Sequence, residues 1–89
     1  MALYEFYGKS CLHCIEMMPI VDKLIEEGVK IEKFEVWNDD ENAKKMEKVN
    51  KDRCPGVPFF LNTDSDQWIC GGTDEETLRK WAAGDKIEN

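Results

Sequence analysis

Two cysteines three residues apart, in Cys11-Leu12-His13-Cys14, are the residues of this chain best spaced for chemistry. On the first turn of a helix that spacing lets two sulfurs close a small disulfide ring. Unpaired N–H groups and the positive end of the helix dipole favour a thiolate on the leading residue, Cys11. A thiolate attacks disulfides and also departs from them readily, so the chemistry in view is thiol-disulfide exchange. Cys14, one turn inside the helix, is expected to be the more buried, resolving thiol. The alternatives are half of a zinc site, or two unrelated core cysteines. Placement at a strand-to-helix junction inside a β-α-β unit argues for exchange.

Cys54 and Cys70 complete the cysteine inventory. Cys70 lies in an apolar run and is expected to be a small core residue. Cys54, four residues before Pro58, would be redox-active or merely buried. Neither has a ligand-pair spacing of its own, so a four-thiolate zinc or iron–sulfur site is not expected and the metal assignment is none. The start Met1-Ala2-Leu3-Tyr4-Glu5 has no basic lead and no small-residue cleavage site, so no secretory signal is expected. A cytoplasmic setting follows, where thiols are normally kept reduced. The cysteines are therefore expected to be catalytic or metal-binding rather than structural.

The elements that must position these residues can be read from periodicity. Residues 2–7, Ala-Leu-Tyr-Glu-Phe-Tyr, predict a strand ended by Gly8. From Leu12 to Glu27, Leu12, Ile15, Met18, Val21 and Ile25 form a helical stripe, broadened by Met17, Ile20 and Leu24. Gly28 stands where a helix-ending glycine belongs. Val29 and Ile31 alternate with charges, the phase slips, and Phe34-Glu35-Val36-Trp37 carries a second strand. Ala43, Met46 and Val49 mark a thin-striped helix from about Asp40 to Lys51. Phe59-Phe60-Leu61 and Gln67-Trp68-Ile69-Cys70 flank a polar turn and predict a β-hairpin. Thr73 and Glu76 make a capping box for a last helix that buries Leu78, Trp81 and Ala82. The three tryptophans and the Met17-Met18 pair are expected in the core. The order is β-α-β-α-β-β-α, an α/β domain with a four-stranded mixed sheet and helices on both faces.

Composition limits the partners. The chain has 89 residues, enough for one domain, residues 1–89, and not for two. Its 12 basic and 19 acidic residues give a net charge of −7, which argues against nucleic acid and anionic membrane as partners. No apolar run approaches a membrane span.

These motifs together resemble the thioredoxin-like superfamily, with the size of a glutaredoxin, over nearly the whole chain. Pro19 falls where thioredoxins carry a helix-kinking proline, and Gly56-Val57-Pro58 resembles the segment leading into the family's cis-proline. Gly71-Gly72-Thr73-Asp74 resembles the glutaredoxin turn that holds the glutathione carboxylate at a helix N-terminus. The resemblance implies a thioredoxin fold and a small thiol-disulfide oxidoreductase in cell redox homeostasis. The alternative is a redox-inert thioredoxin-like binding module, or a zinc or iron–sulfur protein.

The same resemblance assigns the remaining site residues. Glu5 stands where thioredoxins bury an acid that moves protons for the resolving thiol; otherwise it is an exposed strand residue. His13 resembles the histidine of oxidising disulfide-forming enzymes and would favour the Cys11 thiolate, unless it is simply solvent-exposed. Lys9, near the usual glutathione-binding lysine, with Val57, Pro58, Gly72, Thr73 and Asp74, would bind substrate; a solvated surface lysine is the alternative for Lys9. Phe59 replaces a small polar residue common after the proline and alters the substrate groove. No cofactor is implied beyond glutathione as a co-substrate. The implied partners are protein or small-molecule disulfides and either glutathione or a disulfide reductase, acting on a monomer.

Overall fold

Alternation along the first strand decides how the sheet is covered. The computed structural model describes residues 2–87 and runs β1 (Leu3–Tyr7), α1 (Leu12–Glu26), β2 (Ile31–Glu35), α2 (Asp40–Asn50), β3 (Phe59–Asn62), β4 (Trp68–Cys70) and α3 (Glu75–Ala83). The sheet order is β2-β1-β3-β4, with β1 and β2 parallel and the other pairings antiparallel. Successive strand residues point to opposite faces. Leu3, Ile31, Phe60 and Ile69 meet Met17, Val21 and Leu24 of α1 and Leu78, Trp81 and Ala82 of α3. Phe6, Phe59 and Leu61 meet Met46 of α2 on the other face, with Tyr4, Phe34 and Val36 packed alongside. Each face is thus closed by its own helices, and the expected α/β architecture with a thioredoxin fold is observed.

Several sequence expectations are corrected in detail. The buried stripe of α1 is Cys14, Met17, Val21 and Leu24, whereas Leu12, Ile15, Met18 and Ile25 are exposed, Leu12 by 75%. Apolar residues occupy more than half of this helix's circumference, so periodicity alone draws the stripe too wide: Val21, Met17 and Leu24 are buried as expected, and the buried set keeps the narrower three-and-four spacing of a packed seam. Pro19 lies within α1, which continues past it. The phase slip in β2 puts apolar residues on both faces of the strand, Ile31 buried toward α1 and Phe34 half-buried toward α2. Val36 and Trp37 lie beyond the strand's end. The N-cap of α3 is Asp74, whose Oδ1 accepts the Thr77 N–H at 2.7 Å, not Thr73. A carboxylate caps better than a threonine hydroxyl and adds charge at the positive helix end.

The tryptophans divide. Trp81 is wholly buried and meets Phe60 edge to face at 5.4 Å, a pairing whose loss by truncation to alanine typically costs about 3–5 kcal/mol. Trp68 is half-buried at the hairpin, and Trp37 is 55% exposed. Met17 is in the core but Met18 is not.

The largest correction concerns cysteine. Cys54 and Cys70 form a disulfide across a sequence separation of 16. Cys70, expected in the core, is exposed at the end of edge strand β4, while Cys54 is 3% exposed among Phe6, Met46, Phe59 and Leu61. Register explains the meeting. Cys70 lies opposite Phe59, so both point toward the α2 face where Cys54 arrives. The two cysteines are therefore bonded to each other, against the expectation drawn from reduced intracellular thiols.

Candidate active site

β1 ends at Tyr7, and four residues carry the chain to the first turn of α1. The turn is tight because the Cys11 N–H donates to the Gly8 carbonyl at 3.1 Å. A side chain on Gly8 would begin 2.3 Å from the Trp37 ring, so only glycine lets the indole lie against this turn. The Lys9 N–H donates to Glu35 Oε2 at 2.9 Å, and the same carboxylate accepts the Asn38 N–H at 2.7 Å. Glu35 therefore braces the dithiol loop against the loop that carries Trp37. Burial opposes its ionisation, but those backbone donors prevail and hold its carboxyl below the usual range.

Cys11 is the N-cap of α1, and its Sγ accepts the Cys14 N–H at 3.3 Å. Sulfur thus occupies the place where helix ends hold anions. Both Cys11 and Cys14 are free and buried. The Cys11 thiol faces the Val57 carbonyl at 3.8 Å, across from the cis Val57-Pro58 bond, and Pro58 itself is buried. Burial pushes the Cys14 thiol up to about 12, and hydrogen bonding with Cys11 and the Glu5 charge add to the push. Cys14 is held as a neutral thiol while Cys11 fills the anion-favouring position. The two sulfurs thus sit in different environments.

Glu5 lies on the same face of β1 as Leu3, under α1, and is only 3% exposed. Burial pushes its pKa from 4.5 up to about 7, Lys33 opposes the shift, and Asp22 adds to it. Lys33 is its register partner on β2 and donates to Asp22 at 2.7 Å, so Asp22 partly neutralises this cation near Glu5. A carboxyl titrating near neutrality, electrostatically coupled to the Cys14 thiol, is suited to exchange protons there. The expectation of a buried acid is met, and that of an exposed strand residue is not.

The other expected residues divide between two sides of the dithiol. His13 is exposed, with Nδ1 4.0 Å from Glu16 Oε2. It lines a groove of about 620 Å³ with Glu16, Met17, Ile20, Gly71, Gly72, Thr73 and Asp74. The hydrogen bond to Cys11 Sγ comes from the Cys14 amide and not from His13. Lys9 is exposed and does not line that groove, so the structure does not unite it with Gly72, Thr73 and Asp74. The helix end there is already occupied. The Thr77 hydroxyl and N–H hold the Asp74 carboxyl below its usual range, and the Thr73 N–H points to Met17 Sδ at 3.4 Å.

Sequence reasoning missed Glu35, Trp37 and Arg53. The Arg53 guanidinium lies 5.7 Å from the Trp68 ring and pairs with Asp66 at 3.1 Å, fastening the exit of α2 to the hairpin. No periodicity marks these three residues; strand register and loop geometry bring Glu35 and Trp37 to the dithiol loop and Arg53 to the hairpin.

Comparison with known proteins agrees with this geometry. A protein disulfide-isomerase of Drosophila melanogaster is 30% identical over 63 residues, which covers 71% of this chain and 13% of that protein's length. The present chain therefore spans a small part of that relative. The thioredoxin family model matches residues 1–84, and with the sheet order and the junction dithiol already described, the chain belongs to the thioredoxin family.

Proposed function

We propose that this protein is a thiol-disulfide oxidoreductase whose reacting pair is Cys11 and Cys14. The observation that carries the proposal is Cys11 Sγ as the N-cap of α1, accepting the Cys14 N–H and facing the Val57 carbonyl. The Cys11 thiolate attacks a substrate disulfide, forming a mixed disulfide and releasing one substrate thiolate. Cys14 gives its proton to the Glu5 carboxylate and attacks the Cys11 sulfur. The second substrate thiolate leaves, and the Cys11/Cys14 disulfide remains. The reverse sequence oxidises a dithiol. Backbone groups of Val57 would pair with an extended substrate segment, which favours protein disulfides as substrates. Exposed Leu12 and Trp37 beside the dithiol supply apolar contact for such a segment.

The electron donor is proposed as a small thiol such as glutathione or a disulfide reductase. The groove beside His13 has room for the former. Asp74 capping α3 and Lys9 standing apart weigh against a glutaredoxin-type grip on the glutathione carboxylate. A paired assay tests the proposal, following reduction of a protein disulfide with glutathione plus glutathione reductase, or with a thioredoxin reductase. Turnover in either arm that vanishes in Cys11→Ser supports the assignment. A Cys11/Cys14 pair that never oxidises in redox buffer would leave a binding module instead.

A further inference from the structure

The disulfide has no part in the exchange just described, yet it lies at the root of the segment that faces Cys11. From Cys54 the chain passes through Pro55, Gly56 and Val57 to Pro58. Both ends of that short span are fixed where β4 ends, at its last residue and the one after it. Cys54 is bonded to Cys70, and the Pro58 carbonyl accepts the N–H of the next residue, Gly71, at 2.8 Å. The middle of the span carries the Val57 carbonyl, 3.8 Å from Cys11 Sγ. The two cysteines differ sharply in exposure, since Cys54 is buried under α2 and Cys70 is exposed at the sheet edge.

We propose that the Cys54–Cys70 disulfide is a second thiol-exchange site, opened by a low-molecular-weight thiol at Cys70, whose state sets how firmly Val57 is held against Cys11. A thiolate from a small thiol attacks the sulfur of the exposed residue Cys70, and a bond forms between them as the Cys54–Cys70 bond breaks. Cys54 departs and takes up the proton released by the attacking thiol. The Gly56 carbonyl, 3.1 Å from the Cys54 sulfur, is in place to accept a hydrogen bond from the new thiol. A second small thiol attacks the adduct, leaving Cys70 as a thiol and the reagent as its own disulfide. Two electrons pass from two small thiols to the protein. Asn50, which binds both the N–H and the carbonyl of Cys54, and Arg53 on Trp68 and Asp66 keep the segment near its place. Reduction therefore loosens the span without releasing it. The exchange at Cys70 is independent of the Cys11 assignment; the effect on Val57 rests on it.

The exchange is tested on the full chain carrying Cys11→Ser and Cys14→Ser, incubated with glutathione in native buffer and mapped by differential alkylation and mass spectrometry. A glutathione adduct on Cys70 with a free Cys54 thiol is the expected result. A disulfide that opens only after denaturant is added, or an adduct formed first on Cys54, overturns the site. The coupling is tested by the rate at which iodoacetamide alkylates Cys11 in a Cys14→Ser chain, with the second disulfide intact or replaced by Cys54→Ser and Cys70→Ser. A severalfold change in that rate, with faster amide exchange at Val57, is expected. Equal rates overturn the coupling, and no alkylation in either chain removes the Cys11 assignment itself. Should the serine chain fail to fold, the same rate is read on Cys14→Ser protein whose second disulfide glutathione has opened.

Discussion

The two cysteine pairs of this molecule are opposites in how they are brought together. Cys11 and Cys14 sit on one helical turn, free, where backbone N–H groups converge on the first sulfur. Cys54 and Cys70 lie 16 positions apart, are bonded, and meet only because β3 and β4 pair in one register. Local geometry is enough to poise a pair for exchange, because the helix end supplies the electrostatics. A distant pair depends on the whole sheet, and what it returns is constraint. The first pair adds no covalent link to the free chain, while the second adds to stability by closing a loop in the unfolded chain.

The difference can be broken most severely at Cys11. Replacing it with serine is expected to abolish disulfide turnover with far less effect on stability, read by enzyme assay alongside denaturant unfolding. The reverse pattern is expected for Cys54→Ser with Cys70→Ser. That change should lower unfolding free energy by about 2–4 kcal/mol, measured in urea, while turnover persists. Full stability in the serine chain would mean that Arg53 and Asn50 alone secure the exit of α2.

Glu5 sharpens the comparison because it is a carboxyl buried beside the first pair. Its pKa in the folded protein is raised from 4.5 to about 7, so the native state binds the proton more tightly than the unfolded chain. Stability from this group is complete below pH 4.5 and is lost as pH rises through 7. Glu5→Gln should remove that slope and gain about 3 kcal/mol above neutrality, with near parity in acid. Resolution by Cys14 should slow in the same variant. Urea titrations across pH with a slope unchanged in Glu5→Gln would place the titration elsewhere.

The smallest expected effect is at His13. Its imidazole is exposed and faces Glu16, so His13→Gln should lower the reduction potential by less than about 30 mV, equivalent to ~1.4 kcal/mol. Equilibration against glutathione buffers reads this directly. A larger shift would mean that the imidazole charge acts on Cys11 itself.

How much of this was legible in the sequence depends on the distance over which each feature is decided. Element order, the junction dithiol and the buried face of α3 follow from periodicity and turn residues within a few positions, and they match the structure. The apolar stripe of α1 is wider than its buried face, because Ile15 and Met18 are as apolar as Met17 and Val21. Only contact with the sheet decides between them. The Cys54–Cys70 bond was invisible for a stronger reason: neither cysteine has a local partner, and the strand register that joins them is a property of the assembled sheet. Glu35 looked like any strand carboxylate until two loops were seen to share it.

The central claim is that exchange begins at Cys11 while the second disulfide stands aside from substrate. Cys14→Ser, mixed with a protein disulfide in the absence of small thiols, should accumulate a mixed disulfide. Peptide mapping is expected to place the substrate on Cys11 and to find the Cys54–Cys70 bond intact. Substrate attached to Cys54 or Cys70, with Cys11 unmodified, would contradict the account.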